Sequence, residues 1–237
     1  MCGRFALNAK TDELIKEFVA AGGDFQEWTG SYSIAPTNTV PIVRERADEK
    51  TGEIRRSVDA AVWNFHPAFM KDAKRPQFNA RIETVSTNGL WKGAFASSRA
   101  LFPMLGYYEW TGEPGSKQAH FLHSQNGGLL AAAGIYTARK LDDEWEVSAA
   151  IITRPARDAS GEIHDRMPVF LEPAVWDEFL TPDKLDAAGK EAMVRLLSDE
   201  SDKVASTIQS YEVDRRVNNS RTADPADETL IEPLTTQ

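Results

Sequence analysis

Cysteine is almost absent from this 237-residue chain; the only one is Cys2. That excludes an internal disulfide and any multi-cysteine metal site. Histidine is nearly as sparse, and His66, His120, His123 and His164 show no metal-ligand spacing. His120 and His123 lie three apart on a stretch that reads as a strand, and are read as surface residues. Positive charge is in deficit: 27 Lys and Arg against 36 Asp and Glu give a net charge of −9. This argues against a protein coated in positive charge for nucleic acid. It leaves room for a local basic groove, because phosphates respond to charge within a Debye length of about 8 Å. No apolar run approaches the roughly 18 residues of a membrane span. The N-terminus has neither the basic nor the apolar region of a signal peptide, so the expectation is a cytoplasmic protein with no membrane partner. The P-loop, GxGxxG, GxSxG and HExxH patterns are missing as well, and no metal or cofactor is expected. There is no internal repeat, low-complexity segment or linker.

What is present suits one sizeable core: 41% apolar and 27% charged residues are ordinary for a globular chain of this length. A strand over Cys2 to Leu7 leads to a helix with Thr11 as N-cap, Asp12 and Glu13 in its first turn, and Leu14, Ile15 and Phe18 on one face. Its capping box is incomplete, since Leu14 stands where Glu or Gln is wanted, and Gly22-Gly23 ends it. An apolar strand over Val40 to Val43, a charged hairpin tip from Arg44 to Arg56 around Thr51-Gly52, and a return strand from Ser57 to Trp63 follow. A loop rich in Lys, Pro and Asp leads to Phe78–Val85. Phe102 to Trp110 is one mainly apolar segment, and Gly112 to Lys117 a turn. Short strands are expected at His120–His123, Leu129–Tyr136, Ser148–Thr153 and Tyr211–Val217, and helices at Pro173–Leu180 and Lys184–Leu197. Beyond Asn218 the chain is polar. Many short strands with a few helices, and no βαβ alternation, make this a single α+β domain around an antiparallel or mixed sheet that can curl into a barrel.

Cys2 stands directly behind the initiator methionine, and its small side chain permits removal of Met1. The mature chain would then begin with an amine and a thiol on one residue. Such a 1,2-aminothiol condenses with an aldehyde to an imine, and the thiol closes onto the imine carbon as a thiazolidine. An α-amine titrates near 7.7–8.0 and a lysine near 10.4, so at pH 7 roughly a tenth of the former is nucleophilic against well under a thousandth of the latter. The other reading of Cys2 is a small buried apolar residue.

Glu109 sits among Tyr107, Tyr108 and Trp110, where desolvation would raise its pKa into a useful acid–base range; the alternative is an edge strand with Glu109 in water. His164, beside Asp165 and Arg166, is a candidate proton donor or a structural histidine in a turn. Asn79 and Arg81 alternate on an expected strand and face one side. There an Asn could orient a substrate oxygen and an Arg could bind phosphate.

Taken together, these pieces resemble the SRAP (SOS response-associated peptidase) family. They are Cys2-Gly3-Arg4-Phe5, Tyr32-Ser33-Ile34-Ala35-Pro36, Trp63 with Pro67, Asn79-Ala80-Arg81-Ile82-Glu83-Thr84, Leu101-Phe102-Pro103, Gly106-Tyr107-Tyr108-Glu109-Trp110, Ala133-Gly134-Ile135 and Ile163-His164-Asp165-Arg166-Met167-Pro168. They fall in the family's order from residue 2 to about 220, so the expected domain is 1–220 with a polar tail over 221–237. The resemblance implies a distorted β-barrel core with flanking helices. It also implies a DNA-damage protein that binds single-stranded DNA, without cofactor and as a monomer, and shields abasic sites by a thiazolidine cross-link through Cys2. It assigns Cys2 as nucleophile, Glu109 as proton shuttle, His164 as the group that helps open the deoxyribose, and Asn79 as the residue positioning the cysteine and the sugar. Arg4, Arg81 and Arg166 fall where the family contacts phosphates, and Trp110, Trp63 and Pro36 where it wedges or stacks bases. Two departures stand out: Trp63 is followed by Asn64-Phe65-His66 rather than by Gly, and Ala100 stands where many members have cysteine. Two other readings of Cys2 remain: an N-terminal-nucleophile peptidase or amidohydrolase with its α-amine as base, and a non-catalytic binder of modified or single-stranded DNA.

Overall fold

The structure, a computed structural model, describes residues 2–234 apart from Val19, Asp24, Gln26, Glu49 and residues 72–74. Met1, part of the Lys-, Pro- and Asp-rich loop, and the last three residues lie outside the described residues. Among the described residues the strands are β1 (Phe5–Leu7), β2 (Ser31–Ile34), β3 (Thr39–Ala47), β4 (Ile54–Val62), β5 (Asn79–Arg81), β6 (Arg99–Met104), β7 (Gly106–Thr111), β8 (Gln118–Ser124), β9 (Leu130–Leu141), β10 (Glu144–Pro155), β11 (Arg166–Pro168) and β12 (Ile208–Val213). The α-helices are α1 (Thr11–Glu17), α2 (Ile82–Val85), α3 (Lys92–Ser97), α4 (Asp158–Ile163), α5 (Trp176–Leu180) and α6 (Ala187–Ala205).

Strands β4, β3, β6, β9 and β10 form a closed barrel. Its seam is the return of β10 to β4 through the parallel pair Ser148 and Val62. Strand β6 is buried along its whole length, so it lacks the alternation of a sheet with one wet face. The second sheet runs β12-β8-β7-β1-β2. The Phe102–Trp110 stretch, expected as one segment, supplies a strand to each sheet and breaks at Leu105. Gly106 makes the break possible. A Cβ there would sit 2.4 Å from the Phe121 ring and 2.5 Å from the Leu122 carbonyl oxygen, so only glycine lets β7 approach β8 so closely.

The far half of β10 leaves the barrel and pairs with β5 in parallel (Ile151 opposite Asn79) and with β11 antiparallel (Thr153 opposite Pro168). This strand gathers segments far apart in sequence beside β1 and β7.

Several local expectations shift. The first strand starts at Phe5, not Cys2. Helix α1 is capped one residue earlier than expected. Lys10 is extended (ψ 165°), Thr11 is already helical, and the Glu13 carboxylate accepts the Lys10 N–H at 2.6 Å. The helix ends at Glu17, well before the glycines, with Leu14 and Phe18 fully buried. Helix α6 continues past Leu197 to Ala205, and Pro173–Leu180 splits into a 3-10 turn, Pro173–Val175, and α5. Helices α2, α3 and α4 have four, six and six residues, too few for a hydrophobic period to register. Residues 221–234 are held against the sheets. Tyr32 N–H donates to the Pro225 carbonyl at 2.8 Å, Leu234 N–H to that of Glu212 at 2.9 Å, and Leu230 is buried.

One buried charge holds the helical side of the barrel. Arg99 is 1% exposed and donates to the carbonyls of Phe95, Ala96, Phe179, Thr181 and Asp183, with the Asp183 carboxylate adding a weaker electrostatic pull. These lie at the C-terminal ends of α3 and α5, where carbonyls lack helical partners and the helix dipole is negative. Arg99→Met should therefore destabilise the fold by at least about 1–3 kcal/mol, the cost of one carbonyl left buried without a donor, read as a lowered urea midpoint at unchanged slope.

Candidate active site

Strand β1 is three residues long but central in its sheet, between β2 and β7: Phe5 lies opposite Ile34 on one side and Tyr107 on the other. This holds the preceding residues inside the molecule, and Cys2 is fully buried. From β5, Asn79 Nδ2 donates to the Cys2 carbonyl oxygen at 2.7 Å. The remaining oxygen, Asn79 Oδ1, is buried without a hydrogen bond to the protein. Sequence places these two residues 77 positions apart; the parallel pairing of β5 with β10 joins them.

From β7, Glu109 enters the same site and is 3% exposed. Burial is the main cause that raises its pKa from 4.5 to about 7, with Asp165 pushing the same way and Lys117 opposing. Burial, with Glu109 beside it, also pushes the Cys2 thiol well above its ordinary range, so the sulfur rests as a thiol. The aromatic-flanked carboxylate is thus a desolvated one, not an edge residue in water.

His164 follows α4. Its Nε2 lies 4.0 Å from Glu109 Oε2, and burial lowers its pKa, so it is neutral near pH 7. Its Nδ1 is 2.7 Å from Asp165 Oδ1 and also 3.1 Å from the Arg166 backbone nitrogen. Donation to Asp165 and acceptance from Arg166 need opposite tautomers. One presents Nε2–H to Glu109 and the other a lone pair. Asp165 is 85% exposed at the side chain, so its pull on the ring is weak and burial prevails.

An open cleft of about 510 Å³ leads to this site, lined by Gly3, Arg4, Trp110, Gly115, Lys117 and Asn218. The Arg4 guanidinium donates to the Val217 carbonyl at 2.7 Å and to Ser33 Oγ at 3.3 Å, and lies 5.8 Å from the centre of the half-buried Trp110 ring. Trp110 Nε1 donates to Asn218 Oδ1 at 2.7 Å, and Asn218 Nδ2 to the Lys117 carbonyl at 3.0 Å. Lys117 and Asn218 were missed from sequence. The first lies in an unremarkable turn, and Asn218 reaches Trp110 across 108 positions with no local signal.

The other expected DNA contacts divide. Arg81 is exposed beside Asn79 at the end of β5. Pro36 is half-buried in the Ala35–Asn38 turn, whose Thr37 adopts φ +79°, a conformation unfavourable to a β-branched residue. Trp63 does not face the cleft. It is fully buried, edge-on to Phe5 at 5.0 Å and Phe78 at 5.7 Å, and its indole N–H donates to the Phe78 carbonyl. The stacking role expected for it is corrected to a buttress under β1 and β5. The Arg166 guanidinium is 2.5 and 3.1 Å from the two Glu83 oxygens and 2.6 Å from the Thr153 carbonyl, so a phosphate would have to compete with a two-point ion pair. His120 and His123, expected at the surface, are half-buried; His120 Nε2 is 2.9 Å from Thr111 Oγ1. Among the described residues no three His, Cys, Asp or Glu side chains gather as a metal site, and no helix is long and apolar enough to cross a membrane.

Abasic site processing protein YoqW of Bacillus subtilis is 27% identical over 237 residues, covering 95% of this chain and 97% of that protein. Abasic site processing protein YedK of Escherichia coli is 31% identical over 197 residues, covering 81% and 83%. A crystal structure of a protein from Bacteroides thetaiotaomicron superposes with a TM-score of 0.77 over 99% of this chain and 100% of that one, at 18% identity, which shows a shared fold. The family model described as SOS response associated peptidase (SRAP) matches residues 1–220, and the chain belongs to that family.

Proposed function

We propose that the protein processes abasic sites in single-stranded DNA, and that it does so by joining Cys2 to the exposed deoxyribose as a thiazolidine. The relatives' names support the processing of abasic sites, because the match to YoqW runs over nearly the full length of both chains. One observation supports the covalent step: Cys2, which removal of Met1 would make a terminal aminothiol, is held through its carbonyl by Asn79 at 2.7 Å, beside a carboxyl whose pKa burial raises to about 7.

The chemistry follows from those groups. Removal of Met1 frees the Cys2 α-amine. The abasic sugar opens from its ring form to the aldehyde, with His164 moving a proton between ring oxygen and hydroxyl. The amine adds to the aldehyde carbon, and the carbinolamine loses its hydroxyl as water, which needs an acid; protonated Glu109 supplies it. The resulting carboxylate then takes the thiol proton as sulfur bonds to the imine carbon, and a proton returns to nitrogen. One C–N and one C–S bond form, the C=O bond is lost, and one water leaves. A group with pKa near 7 is populated in both forms at neutral pH, so one carboxyl serves as acid and then base. In the cleft, Arg4 and Lys117 would meet phosphates and Trp110 the face of a base. Arg81 would continue the basic track beyond Asn79.

The test is intact mass after incubation with a single-stranded oligonucleotide carrying one abasic site. The expected species has the mass of the chain without Met1 plus the oligonucleotide, less one water. A chain lacking Met1 that gives no such species would overturn the covalent reading and favour the N-terminal-nucleophile hydrolase.

A further inference from the structure

We propose that the buried hydrogen bond between Tyr107 and Ser160 is a positioning device that sets His164 against Glu109. The inference rests on the reading of Glu109 and His164 as the proton-handling pair.

The two partners are 0% and 2% exposed, and their hydroxyl oxygens lie 2.5 Å apart. Each is tied by backbone geometry to one member of the pair. Tyr107 and Glu109 are two apart on β7 and so project from the same face. Ser160 and His164 are four apart, and the His164 N–H donates to the Ser160 carbonyl at 2.9 Å, so the extended residue that leaves α4 at His164 is tied through its backbone to Ser160. The hydroxyl contact therefore joins β7 to α4 close to the 4.0 Å approach of His164 to Glu109, with the Tyr107 hydroxyl also feeling Cys2 and Glu109.

The segment that carries His164 needs such a contact. It is a closed loop whose base is fixed by Pro155 opposite Arg166 and by Ala156 N–H donating to the Asp165 carbonyl at 2.9 Å. Helix α4 within it has only six residues and begins at Asp158 with φ +52°. A helix this short is not held by its own hydrogen bonds. The Arg157–Asp202 ion pair at 2.9 Å also ties the loop, but Arg157 is 61% exposed and such pairs hold weakly. Tyr107–Ser160 is the buried polar tie at the loop's centre. The Tyr107 ring also packs 5.7 Å from that of Phe170, so phenylalanine at 107 keeps the packing and removes only the hydroxyl.

The test uses Tyr107→Phe, Ser160→Ala and the double variant in the full chain. His164 is faced by the chain's terminal amine, by Glu109 from β7, by Lys117 from the β7–β8 turn and by Asp165 beside it, all unchanged in these variants. With the hydroxyl tie gone, His164 becomes better solvated, so its NMR titration should move up toward 6.5 in both single variants. Cross-linking to the abasic oligonucleotide should slow on the order of tenfold, as small misplacements of reacting groups do. Affinity for the same oligonucleotide with a reduced, unreactive abasic sugar should not change. The double variant should regain stability over the single ones, because neither hydroxyl is left buried alone, without regaining rate. In a His164→Ala background, Tyr107→Phe should cost nothing further.

An unchanged His164 titration in both folded single variants would overturn the proposal. So would a Tyr107→Phe rate loss that persists in full without His164. Should the parent protein form no adduct at all, the covalent reading fails, and the His164 titration still decides the positioning role.

Discussion

Cys2→Ala should abolish the stable adduct and leave at most a reversible imine, while Cys2→Ser should add to that imine only a weak, reversible ring closure. Alanine keeps the α-amine but has no atom to close the ring, so any product stops at an imine that water reverses. Serine keeps the amine and a hydroxyl, but oxygen is a poorer nucleophile toward the imine carbon than sulfur, and the five-membered ring opens readily. On a denaturing gel the parent gives a shifted band, and both variants give none unless borohydride first reduces the imine. Reduction should rescue a band in both, which separates loss of ring closure from loss of the amine. Fold loss is a minor concern: Cys2 is fully buried, and deleting one buried sulfur costs about 1 kcal/mol through the small void it leaves. A denaturation midpoint measured alongside gives the control. A stable adduct from Cys2→Ala without reduction would remove the thiol from the chemistry altogether.

Glu109→Gln should slow cross-linking by about 10²- to 10⁴-fold, the usual contribution of a positioned acid–base group, and at the same time make the protein more stable above neutral pH. The second effect follows from linkage. Burial raises the folded carboxyl from 4.5 to about 7, so between those values the native state holds a proton that the unfolded chain has released. Folding stability from this group is fully present below pH 4.5, falls as pH rises, and levels off above pH 7. At 1.36 kcal/mol per pKa unit the loss is about 3 kcal/mol at most. The neutral amide at 109 has no ionisation to suppress. Urea midpoints of parent and Glu109→Gln should therefore nearly coincide at pH 4 and separate progressively up to pH 7, with the variant higher. A site that spends stability on holding a carboxyl half-protonated at neutral pH is common where protons are moved. Equal pH dependence in the two proteins would show that Glu109 titrates as an ordinary surface carboxyl, and would remove it as the acid.

His164 and Arg166 show how two neighbours in one motif can part in space. Both were placed at the site from the run Ile163–Pro168. His164 ends α4 and turns toward Glu109. Arg166 lies on β11, in register with Pro155, and its guanidinium meets Glu83 from α2. No local pattern distinguishes a phosphate-binding arginine from one that anchors a short helix. The same holds for Trp63, where an indole beside a Pro-containing motif reads equally as wedge or buttress; burial against Phe5 and Phe78 decides it.

The sequence by itself offered the reactive group proposed above: its one cysteine stands at position 2, where removal of Met1 would leave an aminothiol whatever the fold. It also determined the fold class through strand lengths and turn residues, and the motif order identified the family. Only the tertiary structure showed the desolvation of Glu109, the burial of Trp63 and the pairing of Arg166 with Glu83. A pKa near 7 for Glu109 requires burial from all sides, which comes from β1, β5, β7 and the α4 loop together. The cleft wall at Asn218 and Lys117 and the Tyr107–Ser160 contact join residues 53 to 108 positions apart. Local sequence fixes which torsions a chain prefers; only the barrel seam at β10 and the crossing at Gly106 fix which distant residues meet.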